Sequence, residues 1–163
     1  MSRLLVIHHS PTPALAALTD AVISGATDPA LAAVTVVSRP ALEATAEDVL
    51  AADGYVLVTS ANFGYMSGAL KHFFDTTFLA IGGALDDTGA AGGGQGATVG
   101  RPYALIVHGR YDTTGAVRSV QSIVGALGWR QVAPVLEVLG EVGRDSREQA
   151  YEVAATVSAT VLG

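Results

Sequence analysis

Three short stretches concentrate the residues that could do chemistry: His8-His9-Ser10-Pro11-Thr12-Pro13-Ala14-Leu15, Thr59-Ser60-Ala61-Asn62-Phe63-Gly64-Tyr65-Met66 and His108-Gly109-Arg110-Tyr111-Asp112-Thr113-Thr114. In the first, hydroxyls at Ser10 and Thr12 precede an apolar periodic segment. A helix N-terminus there offers unpaired N–H groups and a partial positive charge, the donors that a terminal phosphate needs. The same residues also read as a helix cap with proline in the first turn, and both readings stand. In the third stretch Gly109 permits close backbone approach, Arg110 carries a charge suited to an anionic ligand, and Asp112, Thr113 and Thr114 read first as a helix cap. His108 stands equally as a polar core residue or a ligand neighbour.

Other chemistries are excluded by residue type. The chain has no cysteine, which removes thiolate nucleophiles, disulfides and sulfur-ligated metals. The four histidines, His8, His9, His72 and His108, form no metal-ligand spacing, and His8 and His9 at adjacent strand positions point to opposite faces, so no metal site is expected. Among 163 residues, Lys and Arg number 9 against 15 Asp and Glu, a net charge of −6 without a basic cluster. Neither nucleic acid nor a membrane surface is an expected partner, and a small molecule is. With half the residues apolar and 15 % charged, one folded domain spanning residues 1–163 is expected, with extensive burial. The apolar start Leu4–Ile7 is too short for a signal peptide, and no run spans a membrane, so a cytoplasmic protein is expected.

The elements that must position these loops follow from hydrophobic periodicity. Unbroken apolar runs at Leu4–Ile7, Val34–Val37, Tyr55–Val58, Tyr103–Val107 and Val132–Val138 read as strands buried on both faces. Between and after them, helices are expected over 14–24, over 46–52 with a Thr45/Asp48 cap, from Met66 through Leu70, Phe73 and Thr77, through Val117, Val120, Val124 and Leu127 to a stop at Gly128, and from Asp145 to Val161. Five strand–helix units predict an α/β fold, a flavodoxin-like doubly wound five-stranded parallel sheet of order 2-1-3-4-5. Ligands in such sheets bind outside the carboxyl ends of the strands, where the three stretches fall. Residues 82–100 hold 8 of the 19 glycines and are expected to form a flexible surface loop.

The segment from Thr59 to Asp75, TSANFGYMSGALKHFFD, resembles one in the flavodoxin superfamily of NAD(P)H-dependent FMN reductases and quinone reductases that runs roughly T-P-x-x-F/Y-G-x-M-S-G-x-L/M-K-x-F-L/F-D. The resemblance implies that this loop holds a flavin ring, with Ser60, Ala61, Asn62, Gly64 and Met66 around it and Phe63 or Tyr65 covering one face. It further implies that His108, Gly109, Arg110 and Tyr111 form a second flavin loop, and that His9, Ser10, Thr12, Ala14 and Leu15 meet the phosphate. By residue type alone, Met66, Leu70 and Phe73 read as core, and Lys71, His72 and Asp75 as helix surface. Flavodoxin-type phosphate loops resemble S/T-x-T-G-x-T, whereas here Pro13 stands at the glycine, Leu15 at the last hydroxyl, and both prolines lack an N–H. The only tryptophan, Trp129, begins the fifth run instead of lying in a flavin loop.

The resemblance therefore implies an FMN-binding oxidoreductase that moves hydride from NAD(P)H to a small acceptor such as a quinone, functioning as a homodimer or homotetramer. A flavodoxin-like electron carrier or flavin-binding module without enzymatic activity is the alternative. A phosphoacceptor domain of the same topology would need acidic residues where this chain has His8-His9 and Thr59-Ser60.

Overall fold

The computed structural model describes residues 1–92 and 96–163. In chain order its elements are β1 (Arg3–His8), α1 (Pro13–Ala26), β2 (Thr35–Pro40), α2 (Ala46–Ala51), β3 (Gly54–Asn62), β4 (Tyr65–Met66), α3 (Gly68–Thr77), β5 (Pro102–Gly109), α4 (Thr114–Ala126), β6 (Arg130–Gln131), β7 (Leu136–Leu139) and α5 (Arg144–Leu162). The main sheet runs β2-β1-β3-β5, with β6 and β7 both pairing parallel to β5. Counted as one interrupted strand, β6 and β7 complete the expected 2-1-3-4-5 order. The interruption falls on Val132–Val135, where Pro134 has no N–H for the ladder.

Alternation along the three central strands builds two cores. Leu5 and Ile7 of β1, Tyr55 and Leu57 of β3, and Tyr103, Leu105 and Val107 of β5 face α2, α3 and α4. Leu4 and Val6, Val56 and Val58, and Ala104 and Ile106 face α1 and α5. All of these side chains are buried, so each strand is committed on both faces, and a slip of one residue would exchange the two sets.

Local signals set the helix ends. Thr45 and Asp48 form the reciprocal capping box, Thr45 Oγ1 accepting from the Asp48 N–H at 3.2 Å and Asp48 Oδ2 from the Thr45 N–H at 3.0 Å. Gly128, at φ +72°, ends α4 with the Trp129 N–H returning to the Val124 carbonyl at 3.0 Å. Helix α5 starts one residue before the expected Asp145, and Glu148 pairs with Arg144 at 2.8 Å instead of capping. Met66, expected to open α3, sits in the two-residue strand β4, because the chain first turns back on β3 and enters the helix only after the Ser67 cap.

Trp129 stacks on Tyr55 with ring centroids 4.0 Å apart and donates Nε1–H to Thr98 Oγ1 at 2.9 Å. This aromatic packing lies at the amino end of the central strands. Arg101 Nη1 reinforces that end by donating to the carbonyls of Val49 and Ala52 at 2.9 and 2.7 Å and to the Tyr55 hydroxyl at 2.9 Å. Of the expected glycine-rich loop, Gly93 and Gly94, with Gln95, lie outside the described residues. On either side of them Leu85 and Ala91 form an antiparallel bridge and Thr98 is buried.

Helices α1 and α5 pack backbone against backbone. A Cβ at Gly25 of α1 would lie 2.1 Å from the backbone oxygen of Tyr151 in α5. The obstacle is backbone, so no rotamer change relieves it. Gly25→Ala is expected to lower unfolding free energy by about 1–3 kcal/mol in urea titration; unchanged stability would show that the two helices separate without loss.

Candidate active site

The register brings the carboxyl ends of β1, β3 and β5 together: His8 lies beside Val58, and Ser60 beside His108. Continuing the alternation, His8, Ser60 and His108 project to the side of the sheet that carries α1 and α5. A cleft of about 690 Å³ opens there, bounded by Ala14 at the start of α1, by His108–Tyr111 after β5, and by Gly140 and Glu141 after β7. Ser60, 8 % exposed, has a buried hydroxyl with no hydrogen-bond partner among the described residues. A buried hydroxyl left unpaired is costly, and here it stands at the strand end where a ligand would be met.

The loop after β3 is a hairpin. Asn62 pairs with Tyr65 and Ala61 with Met66, leaving Phe63 and Gly64 at the turn with φ +50° and +79°. Positive φ is unusual for phenylalanine, and the Phe63 side chain is fully exposed. Below, Thr59 Oγ1 accepts from the Ser67 N–H at 3.0 Å, tying the hairpin to the start of α3. Gly115 lets α4 press against the turn, since a Cβ there would lie 1.9 Å from the Gly64 carbonyl oxygen. Gly109 is also tightly flanked: its Cβ would stand 3.0 Å from Thr113 Cγ2 and 3.2 Å from Ala61 Cβ.

On the far wall, His108 Nε2 lies 2.7 Å from the Gly140 carbonyl, fixing that ring against the loop after β7. Arg110 lies over the exposed Tyr111 ring at 5.7 Å and donates Nε–H to its hydroxyl at 3.3 Å. Thr113 does not use its hydroxyl to cap α4; it donates to Glu137 Oε1 at 2.5 Å, while Asp112 Oδ1 accepts the Thr114 N–H at 3.0 Å. Before α1, Thr12 Oγ1 accepts the Leu15 N–H at 3.3 Å, and the Ser10 hydroxyl lies between His8 Nδ1 at 2.9 Å and Thr19 Oγ1 at 2.7 Å.

The structure thus gathers Ala14, His108, Gly109, Arg110 and Tyr111 on one cleft. Ser60 and Ala61 adjoin them, the former through the β3–β5 register and the latter at the Gly109 backbone. His9 gives its N–H to the Val58 carbonyl at 3.0 Å. Asn62, Phe63, Gly64 and Tyr65 stand exposed on the hairpin. The side chains of Leu15 and Met66 are instead buried in the two cores. Lys71 pairs with Asp75 at 2.7 Å on the α3 surface. Sequence reasoning missed Gly140 and Glu141, although their place just beyond a carboxyl strand end was signal enough, and it missed Gly115, whose role depends on a contact between distant backbones.

Burial and neighbouring His9 push the His8 imidazole below its usual 6.5, against the opposing pull of Asp20 and Glu43. Above about pH 6.5 His8 is neutral in folded and unfolded chains and has no effect on their balance. As pH falls below 6.5 the unfolded chain takes up the proton first, so stability is lost. His8→Asn, which keeps a side chain able to hydrogen-bond Ser10, is expected to lose less stability than the parent between pH 7 and 5.5 in parallel urea titrations. Equal losses would show that His8 does not contribute.

The family profile described as NADPH-dependent FMN reductase matches residues 15–141. No curated protein matches the chain. Among solved structures, a flavodoxin from the domain Archaea superposes with a TM-score of 0.79 at 14 % identity, covering 99 % of each chain. A flavodoxin WrbA-like protein from Agrobacterium tumefaciens gives 0.72 at 15 %, covering 99 % of this chain and 98 % of the other. A flavodoxin from Streptococcus pneumonia TIGR4 gives 0.74 at 16 %, covering 98 % and 99 %. These likenesses establish the flavodoxin-like fold, and the profile match, which takes in β3, β5, β7 and the loops that follow them, places the chain in the NADPH-dependent FMN reductase family.

Proposed function

We propose that this protein is an NAD(P)H-dependent flavin oxidoreductase, using FMN at the cleft to pass hydride to a small acceptor such as a quinone. The observation that carries the reading is Ser60: a buried, unpartnered hydroxyl at the carboxyl end of the central strand, beside a cleft whose walls include glycine backbone. Bound flavin supplies the hydride chemistry itself, so the protein's work is binding, orientation and electrostatics.

Each group has a task under this reading. Ser60 Oγ would hydrogen-bond a polar edge of the ring, and the exposed turn at Gly64, with nothing within 4 Å of the place of a side chain, would let a flat group lie close. Phe63 and Tyr111 are exposed aromatic side chains available to flank a ring or a nicotinamide. Arg110, held over Tyr111, sets a positive charge on the rim where negative charge would develop. These residues fit the ring. The segment before α1 fits a phosphate poorly.

A non-enzymatic electron carrier is the second reading, favoured by the −6 charge, suited to a basic redox partner, and by the likeness to flavodoxins. Slow NAD(P)H oxidation in the presence of tightly bound flavin would select it.

Titrating FMN into flavin-free protein is expected to quench flavin fluorescence saturably with one site per chain, and the mixture to consume NAD(P)H. Absence of both would sink the proposal. Ser60→Ala is expected to weaken FMN binding about threefold to tenfold while raising ligand-free stability by about 1 kcal/mol, because an unpaired buried hydroxyl is removed. Unchanged affinity would remove Ser60 from the site.

A further inference from the structure

The donor inventory before α1 says how the ligand is chosen. Of the seven residues His9–Leu15, Pro11 and Pro13 have no N–H. The His9 N–H is taken by the Val58 carbonyl and the Leu15 N–H by Thr12 Oγ1. Ser10 has its hydroxyl tied between His8 and Thr19. What remains is the N–H of Ser10, Thr12 and Ala14 and the Thr12 hydroxyl proton.

Charge adds nothing to this short supply. No Lys or Arg occurs between Arg3 and Arg39, so neither the loop nor α1 carries a fixed cation. The carboxylates of Asp20 and Glu43 lie near enough to act on His8. Arg110, on the cleft rim, is engaged with Tyr111 at the end of β5. A phosphate dianion on this loop would meet few free donors, no Lys or Arg of its own segment and two nearby carboxylates, whereas the ring end offers Ser60 and the open backbone of Gly64.

We infer that this chain selects flavin by its ring and reads the 5′-phosphate weakly, so that riboflavin serves nearly as well as FMN; the inference rests on the flavin-binding reading above. Pro11, Pro13 and the His8–Ser10–Thr19 chain of hydrogen bonds are then specificity determinants of the loop. Both prolines are exposed, and their replacement touches no core side chain.

The test is a pair of fluorescence titrations, riboflavin and FMN, on the full chain, repeated on the double variant Pro11→Gly, Pro13→Gly. The expected result is dissociation constants within about tenfold of each other for the parent. In the double variant the preference for FMN should rise by about tenfold or more, as donors to a charged group are restored, with riboflavin affinity unchanged. A parent preference for FMN above about tenfold overturns the inference while leaving the flavin-binding reading intact, and its loss in Arg110→Ala would assign the phosphate to the β5 rim. An unchanged ratio in the double variant overturns the role given to the prolines. Binding of neither flavin overturns the functional reading and the inference with it.

Discussion

Everything in this molecule depends on the double commitment of β3. From Tyr55 to Val58 its side chains alternate between two buried cores, and its neighbours β1 and β5 are bound in the same parallel register. Such a strand cannot slide or tilt without exposing apolar surface on both faces at once. The alternation persists past Val58, where the cores end: Thr59 turns toward α3 and ties the hairpin down, while Ser60 turns the other way and is left unsatisfied. Burial thus sets the position of the polar atom, and the incomplete hydrogen bonding marks the place where packing gives way to recognition.

The cleft is asymmetric in its polar economy. The wall made by β5 and β7 fixes His108 on the Gly140 carbonyl, while on the opposite face of the same strands Thr113 is held by Glu137. The wall made by the start of α1 spends its hydroxyls on internal bonds. A cleft built this way is stiff at one end and sparing of donors there, a combination that favours shape and ring contacts over the capture of an anion.

Much of the fold was legible because apolar runs and helical spacing report burial directly. Leu4–Ile7, Tyr55–Val58 and Tyr103–Val107 all lie within strands, and Thr45/Asp48 and Gly128 act at helix ends as their types indicate. The fifth run was less legible, since the apolar residues around Pro134 look continuous in sequence while proline denies the ladder a donor. At the site, loop positions were legible from strand ends, but individual roles were not. Which hydroxyl is free and which is tied depends on long-range geometry: Ser10 and Ser60 are the same residue type at comparable strand ends, yet one is fully bonded and the other has no partner.

The contact of Gly25 with Tyr151 joins residues 126 positions apart, and α1 carries the Ala14 wall of the cleft. A contact of such high sequence separation closes a long loop, and folds rich in such contacts fold more slowly than those built from local ones. The shape of the cleft at Ala14 is therefore tied to the docking of α5, and anything that loosened that helix would be felt at the far end of α1.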